Sequence, residues 1–468
     1  PRETHPNPRH EASSTSCVTA PRIAVPYATE SLTRRTTMRK ASLGHWDPRV
    51  QQGWLYNLAG AAEELAVDVH HTTLVINHHH TSATPQHNNM SEFTHRLHQP
   101  MSCFVNTLLQ KRGFDRMTNI WEGRATHRMR LLDAEAMMTD LIYHRVQAVA
   151  AGLVDRPEDM PGFVFDWAMW REGCIVKVDA PTDVYFDLRF RPKTRDLDFR
   201  PPTVLLALFG WNVERLIYWM RKLEAVAIRR ILAARKRPCR GAAAVLKIHP
   251  FDEPRTRAAT RGGMVPSFRI GARGMIARDA RIHSCMETTA FREEYREASQ
   301  DFRNGNRERV FPYGTDKMAK LFGVRVESAP HPGAIVLQPG RSREELMEER
   351  RSERELSEDV RRVLENVKNA LDDEAPDFAE FSEAAHFVSP RVRSSLGTVA
   401  NNETADTVSV PMATDEVAVQ TLRGRRRTST DSPPRRIVVL RTRYVTKGPG
   451  FDDSRSNSGR RAGDEPDC

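Results

Sequence analysis

Apolar residues recur at helical spacing from Val50 through Trp54, Leu58 and Ala61 to Leu65. Asp47-Pro48 supplies a capping residue and a first-turn proline just before them, so the pattern predicts a helix over 48–66. The next stretch, Val67 to Asn77, is rich in β-branched residues and reads as a central strand, with a second strand over 79–84. A helix over 91–111 follows, in which Pro100 should produce a break or kink. Residues 119–130 read as a strand. Asp133 then caps a helix over 134–150 with Met137, Met138, Leu141, Ile142, Val146 and Val149 on one side, and Gly152 is placed to end it. A basic segment, Ser31 to Lys40, alternates loosely and forms a first strand. The order strand, helix, strand, strand, helix, strand, helix predicts an α+β sandwich on a mainly antiparallel sheet.

Beyond residue 165 the pattern is less informative. Helices are expected over 211–236 and 288–304, which makes 166–340 a mainly helical C-terminal extension of unassigned role. Residues 341–374 are dense in Arg and Glu. Leu356, Val360, Val363, Val367 and Ala370 make a narrow apolar stripe there, as on an exposed or self-associating helix. The remainder, to residue 468, reads as a low-complexity tail, and residues 1–27 as a disordered arm. The α+β part of the chain is therefore expected over 28–165, the stretch read below as the catalytic domain.

Composition adjusts this picture in two ways. The chain of 468 residues is 39% hydrophobic and 28% charged, which is globular but polar. Lys and Arg number 71 against 61 acidic residues, a net charge of +10 that favours a polyanionic partner. The 6 cysteines include no Cys-x-x-Cys pair, which argues against a zinc site and suits a reducing cytoplasm. No apolar run approaches bilayer length and the first 27 residues lack a signal-peptide core, so no membrane association is expected.

The candidate chemistry lies in Asn77-His78-His79-His80. Side chains alternate along a strand, so His78 and His80 share a face and could chelate a divalent ion. In a chain with 17 histidines that pair is weak evidence by itself. On the helix over 134–150, Tyr143 and Gln147 are four apart and share a polar face that Asp140 extends. Tyrosine can serve as a nucleophile where a metal polarises the group it attacks, and a carboxamide oxygen is an acceptable ligand for magnesium or manganese. An isolated helical tyrosine is nevertheless more often a packing residue.

Taken together, these motifs resemble those of the HUH single-tyrosine transposases, and specifically the REP-associated tyrosine transposases. Asn77-His78-x-His80 resembles their paired-histidine motif. Tyr143, Gln147 and the run Val149-x-Ala151-Gly152-Leu153-Val154-Asp155-x-Pro157-Glu158-Asp159-x-Pro161 resemble their tyrosine signature. Trp121-x-Gly123-Arg124 resembles their Trp-x-Gly-Arg strand, and Thr33-Arg34-Arg35 their basic first strand. Residues 200–330, with Val310-Phe-Pro-Tyr-Gly-Thr315, are similar to the extension of longer members. The resemblance implies a ferredoxin-like HUH endonuclease fold, often dimeric, that cleaves single-stranded or hairpin DNA and transfers the strand during transposition. It implies Tyr143 as the nucleophile forming a 5′-phosphotyrosine, with Mg2+ or Mn2+ held by His78, His80 and Gln147. Arg34, Arg35, Arg39, Lys40 and Arg124 would bind DNA, as a homodimer in the cytoplasm associated with the nucleoid.

The sequence departs from that pattern at His79, where the family carries a bulky hydrophobic residue, and at Gln147-Ala148, where Asn-Pro is usual. Two other classes of protein remain: a repurposed or decayed DNA-binding protein without cleavage, in which Trp121 stacks on a base, and a structural adaptor built around the charged helix.

Overall fold

The computed structural model describes residues 22–123, 125–181, 191–254, 266–328, 342–348 and 352–373, with two short strand pieces at 387–388 and 437–439. Most of the expected arm, Arg124, and most of the tail, including 425–427, lie outside the described residues.

The N-terminal half runs β1 (Glu30–Arg35), α1 (Arg49–Leu65), β2 (Val67–Val75), β3 (His78–Pro85), α2 (Met90–Lys111), β4 (His127–Leu131), α3 (Ala134–Arg145) and a further turn, α4 (Gln147–Ala150). The fold is mixed α+β. The sheet order is β2-β3-β1-β4, all antiparallel neighbours, and a short parallel strand, Phe268–Arg269, extends it beyond β4. Both β1-α1-β2 and β3-α2-β4 thus cross over a strand that the other unit contributes. One sheet face carries Leu32, His79 and Ala83 against α1 and α2; the other carries Ser31, Thr33, His78, His80 and Ser82 toward α3.

Close helix packing explains the first face. In α1, Val50, Trp54, Leu55, Leu58 and Ala59 are buried against Phe93, Leu97, Met101, Phe104 and Leu108 of α2. The helices approach so closely at Gly53 that a Cβ there would fall 2.2 Å from the Phe104 ring. Pro100 stays inside α2, which continues from Met90 to Lys111, so the helix does not end at the proline. A buried carboxylate, Asp47, ties the start of α1 to the end of α2 through Arg49 and, at 2.8 Å, Arg112. Burial alone would raise its pKa, but the hydrogen bonds from Arg49 and Arg112 outweigh that and hold it below the ordinary aspartate value.

Two expectations about element bounds change. Trp121 does not lie in a strand; it makes a single bridge to Thr36, and β4 begins only at His127. The helix expected over 134–150 breaks at Val146, so that Tyr143 lies in the last turn of one segment and Gln147 begins the next.

The stretch 166–340, expected to be mainly helical, also supplies a hairpin, β5 (Ile175–Asp179) and β6 (Thr194–Asp198), packed on α1. It continues through α5 (Thr203–Leu208) and α6 (Val213–Ala234) to the long helix Gly274–Arg303. The apolar stripe of the helix Glu353–Asp373 is not exposed. Val360, Val363, Val367 and Leu371 are buried in the same core as α3 and α6. One hydrophobic core therefore runs from Leu32 to Leu371, with α3 between the sheet and these later helices.

The interior contains an unusual number of neutral imidazoles. His71 and His98 are held well below the ordinary histidine pKa and His45 is pushed down to about 4, in each case chiefly by burial. Unfolding lets these rings take up protons as the pH falls through about 6.5, so acid favours the unfolded chain. Stability should fall steadily from pH 7 toward pH 4.5. The slope should become shallower by about one proton, or ~1.4 kcal/mol per pH unit, in His45→Gln. Urea denaturation across that range is the check, and an unchanged slope would remove His45 from the account.

Candidate functional site

The antiparallel register of β1 and β3 sets Thr33 opposite His80 and Arg35 opposite His78. The two imidazoles lie side by side on the α3 face, ring centroids 4.9 Å apart at 86°. Each is fixed through Nδ1. His78 Nδ1 lies 2.6 Å from Asn77 Oδ1, and His80 Nδ1 lies 2.9 Å from the Thr33 hydroxyl. Since Asn77 Oδ1 can only accept, the neutral His78 ring carries its proton on Nδ1 and its lone pair on Nε2, the tautomer a metal ligand requires.

Electrostatics favour the same form. Burial, followed by Arg35 and Arg39, pushes His78 down to about 3. Burial, followed by His144 and His78, holds His80 well below its ordinary value. Both rings are neutral at physiological pH. Arg35 and Arg39 stand close enough to act on His78, and Arg35 acts on His80 as well. Arg39 is placed by a left-handed turn in which Met38 and Arg39 both have φ of 54°, an uncommon conformation for residues with a side chain.

Tyr143 is half-buried at the end of α3, its ring 5.6 Å from that of His80 and edge-on to it. The break at Val146 does not separate it from Gln147. Gln147 Nε2 donates to the Tyr143 carbonyl at 3.0 Å, and the same fully buried carboxamide supports the His78 ring. Its Oε1 makes no well-formed hydrogen bond. Two neutral imidazoles and a buried carboxamide oxygen fit a divalent cation as a donor set, manganese more comfortably than magnesium because two ligands are nitrogen. Among the described residues no cluster of three His, Cys, Asp or Glu side chains forms a metal site.

The remaining candidates divide between the two faces. Arg34 points to the α1/α2 face, 5.5 Å over the Trp121 ring, while Lys40 lies 5.3 Å over Phe251. Trp121 is buried, and its Nε1 donates to the His98 carbonyl, which leaves no open ring face for a base to stack on. Of the basic residues on α6, Arg221 pairs with Asp166, and Arg230 pairs with Asp372.

Several contributors were not foreseen. His144 lies beneath His80 at 4.7 Å between centroids. It is held by Ser82 and Ser31 at 3.0 and 3.2 Å and by Asp140 at 3.4 Å. Asn77 and Thr33 orient the paired histidines. His79, the departure from the family pattern, has a partner in His98, with Nε2 to Nε2 2.8 Å, and the Trp54 ring lies tilted against it at 4.5 Å. Thr81 and Thr126 take the two Nδ1 atoms at 3.2 and 3.4 Å. A histidine at the core position of β3 was therefore a signal to look for a second polar residue on α2.

No family model and no curated protein matches the chain. A solved structure of a REP-associated tyrosine transposase bound to a REP hairpin is similar at 14% identity, over 30% of this chain and 79% of that one, with a TM-score of 0.25. A score that low carries no argument here, and the functional reading rests on the site.

The His79–His98 pair makes a separable prediction. His98→Leu should cost about 1–3 kcal/mol, because it strands a buried imidazole nitrogen, whereas the double variant His79→Leu/His98→Leu should recover most of that loss. Urea melts of the three proteins measure the coupling, and additive losses would mean that the two rings do not depend on each other.

Proposed function

We propose that this chain is a transposase-like, metal-dependent enzyme that cuts and rejoins single-stranded DNA through a 5′-phosphotyrosine on Tyr143. The observation that carries this reading is the convergence on one sheet face of His78, His80 and Tyr143, with Gln147 bridging the tyrosine helix to the histidines. Support also comes from Arg35 and Arg39, whose positive charge acts on this pair and suits an approaching phosphate. The βαββαβ connectivity agrees with a ferredoxin-like HUH fold.

In the reaction, the Tyr143 oxygen attacks the phosphorus of a DNA phosphodiester, and the bond to the 3′-oxygen breaks. The phenolic proton is balanced by the new 3′-hydroxyl. One phosphodiester is exchanged for another, so no nucleotide hydrolysis is needed. A second 3′-hydroxyl reverses the step and joins a new strand. A divalent cation held by His78, His80 and Gln147 would polarise a non-bridging oxygen and stabilise the charge that develops in the transition state. Asn77 and Thr33 keep the imidazoles oriented, and α3 holds the tyrosine hydroxyl rigidly, which favours in-line attack. A homodimer, as the family resemblance implies, and hairpin DNA as substrate are parts of the same proposal.

Tyr143→Phe should fold and bind DNA like the wild type while forming no covalent adduct. Denaturing electrophoresis with labelled hairpin DNA and manganese reads this directly. An adduct that persists in the variant excludes Tyr143, and DNA binding without an adduct in any hairpin tested favours the non-cleaving DNA-binding alternative.

His78→Ala/His80→Ala should lose manganese affinity by at least tenfold and abolish cleavage while weakening DNA binding much less, since the ion acts mainly in the transition state. Calorimetric titration with manganese would show equal affinity in the two proteins if the ligands lie elsewhere.

A further inference from the structure

On the face of the sheet opposite the paired histidines, at its β4 edge, lies a second concentration of charge. Arg128 and Arg130 alternate along β4 and share the face of Glu30 on β1. Arg128 forms a two-pronged pair with Glu30, at 2.7 and 2.6 Å. Arg130 reaches Glu287 of the helix Gly274–Arg303 at 2.9 Å. Arg22 enters from the N-terminal side, donating to the Thr126 carbonyl at 3.0 Å, and Arg292 stands beside it on the rim. These groups surround a partly open cavity of about 20 Å³, room for roughly one water-sized group.

Charge and hydrogen bonding are both incomplete here. Among the described residues, the carboxylates paired with this cluster are Glu30, held by Arg128, and Glu287, held by Arg130. Arg130 is 6% exposed, and its Nη1 is buried with no hydrogen-bond partner among the described residues. A buried guanidinium nitrogen left without an acceptor is costly, and native proteins rarely tolerate one without an ion or water to fill the position. Burial and then Arg128 push the Arg22 guanidinium below its ordinary value, Glu30 offsets part of this, and Arg292 adds to it. The cluster thus repels a further cation and favours an anion.

We infer that Arg22, Arg128 and Arg130 form an anion site, separate from the histidine face, that takes one oxygen of a phosphate group into the cavity while the rest of the phosphate occupies its open mouth. Arg130 Nη1 supplies the inner hydrogen bond. Arg22 closes over the outer oxygens, and the ion pairs with Glu30 and Glu287 keep the two β4 guanidiniums in place. A phosphate fits better than a carboxylate because guanidinium groups converging from different elements can engage several oxygens at once. The same chemistry is available from free phosphate or from the backbone of a nucleic-acid strand. The inference does not depend on cleavage by Tyr143.

The test is calorimetric titration of the full chain with inorganic phosphate, in chelator and at constant ionic strength balanced with chloride. Chelator excludes any phosphate bridged by a metal at the histidines. The wild type should bind saturably at one site. Arg22→Gln, which leaves both buried ion pairs intact, should weaken binding about tenfold, the loss expected for one charge-assisted contact. Arg130→Met/Glu287→Met removes the inner donor together with its partner and should abolish binding; circular dichroism reports whether this protein remains folded, and Arg22→Gln decides the matter if it does not. A parallel titration with a single-stranded oligonucleotide separates the sources. Competition by phosphate and a matching loss in Arg22→Gln assign the site to a nucleic-acid backbone, while an unchanged oligonucleotide affinity assigns it to free phosphate. Absence of saturable phosphate binding above the chloride control, or wild-type affinity in Arg22→Gln, would overturn the site and leave a water in the cavity.

Discussion

Everything at the candidate site depends on the register between β1 and β3. Thr33 meets His80 and Arg35 meets His78 because the strands pair where they do. A slip of one residue would turn both imidazoles into the α1/α2 core and bring His79 to the other surface. That register is secured from both sides. Leu32 and Ala83 are buried toward the helices, and on the opposite face Ser31 and Ser82 share the His144 ring. The hydrophobic layer and the polar layer therefore specify the same alignment, and the paired histidines receive their positions from packing rather than from a flexible loop.

The same logic accounts for the three consecutive histidines. Only alternate residues of β3 can face α3, so the middle one is committed to the core. A lone imidazole there would be a defect. His98 on α2 supplies a hydrogen-bond partner, and Trp54 and Trp121 close the space around the pair. The chain has replaced an apolar contact with a matched polar one, which demands two coordinated residues on different elements and fixes their separation more narrowly than an apolar pair would.

The alternating order of strands and helices was legible in the sequence, as were α1 and α2 from their apolar period and the start of α3 from Asp133, whereas the histidines, expected at the end of the first of two strands, open the second. Pro100 and Val146 show what was not. The local rule expected a break or kink at the proline, and the helix does not end there: Phe93, Leu97, Met101 and Phe104 are buried on both sides of it. The break fell instead at Val146, which no residue type announced. In the later region Val360, Val363 and Val367 gave a correct helix but no indication of their partner. An amphipathic stripe states that a face is to be covered and says nothing about what covers it. The cluster of Arg22, Arg128 and Arg130 was invisible for a related reason: its members are brought together by the pairing of β4 with β1 and with a strand more than a hundred residues away.

The packing of Glu353–Asp373 on α3 also has a consequence for the order in which the polypeptide is made. Asn366 donates to Glu135 across 231 residues, and Val360, Val363 and Val367 lie in the core that buries α3. At roughly 5–20 residues per second, translation needs on the order of 10–50 s to deliver that helix after the first turn of α3 has been synthesised. During this interval the sheet and its histidines can already be assembled, while the segment bearing Tyr143 lacks one of its walls. The nascent chain acquires its paired imidazoles first and the firm seat of its tyrosine last.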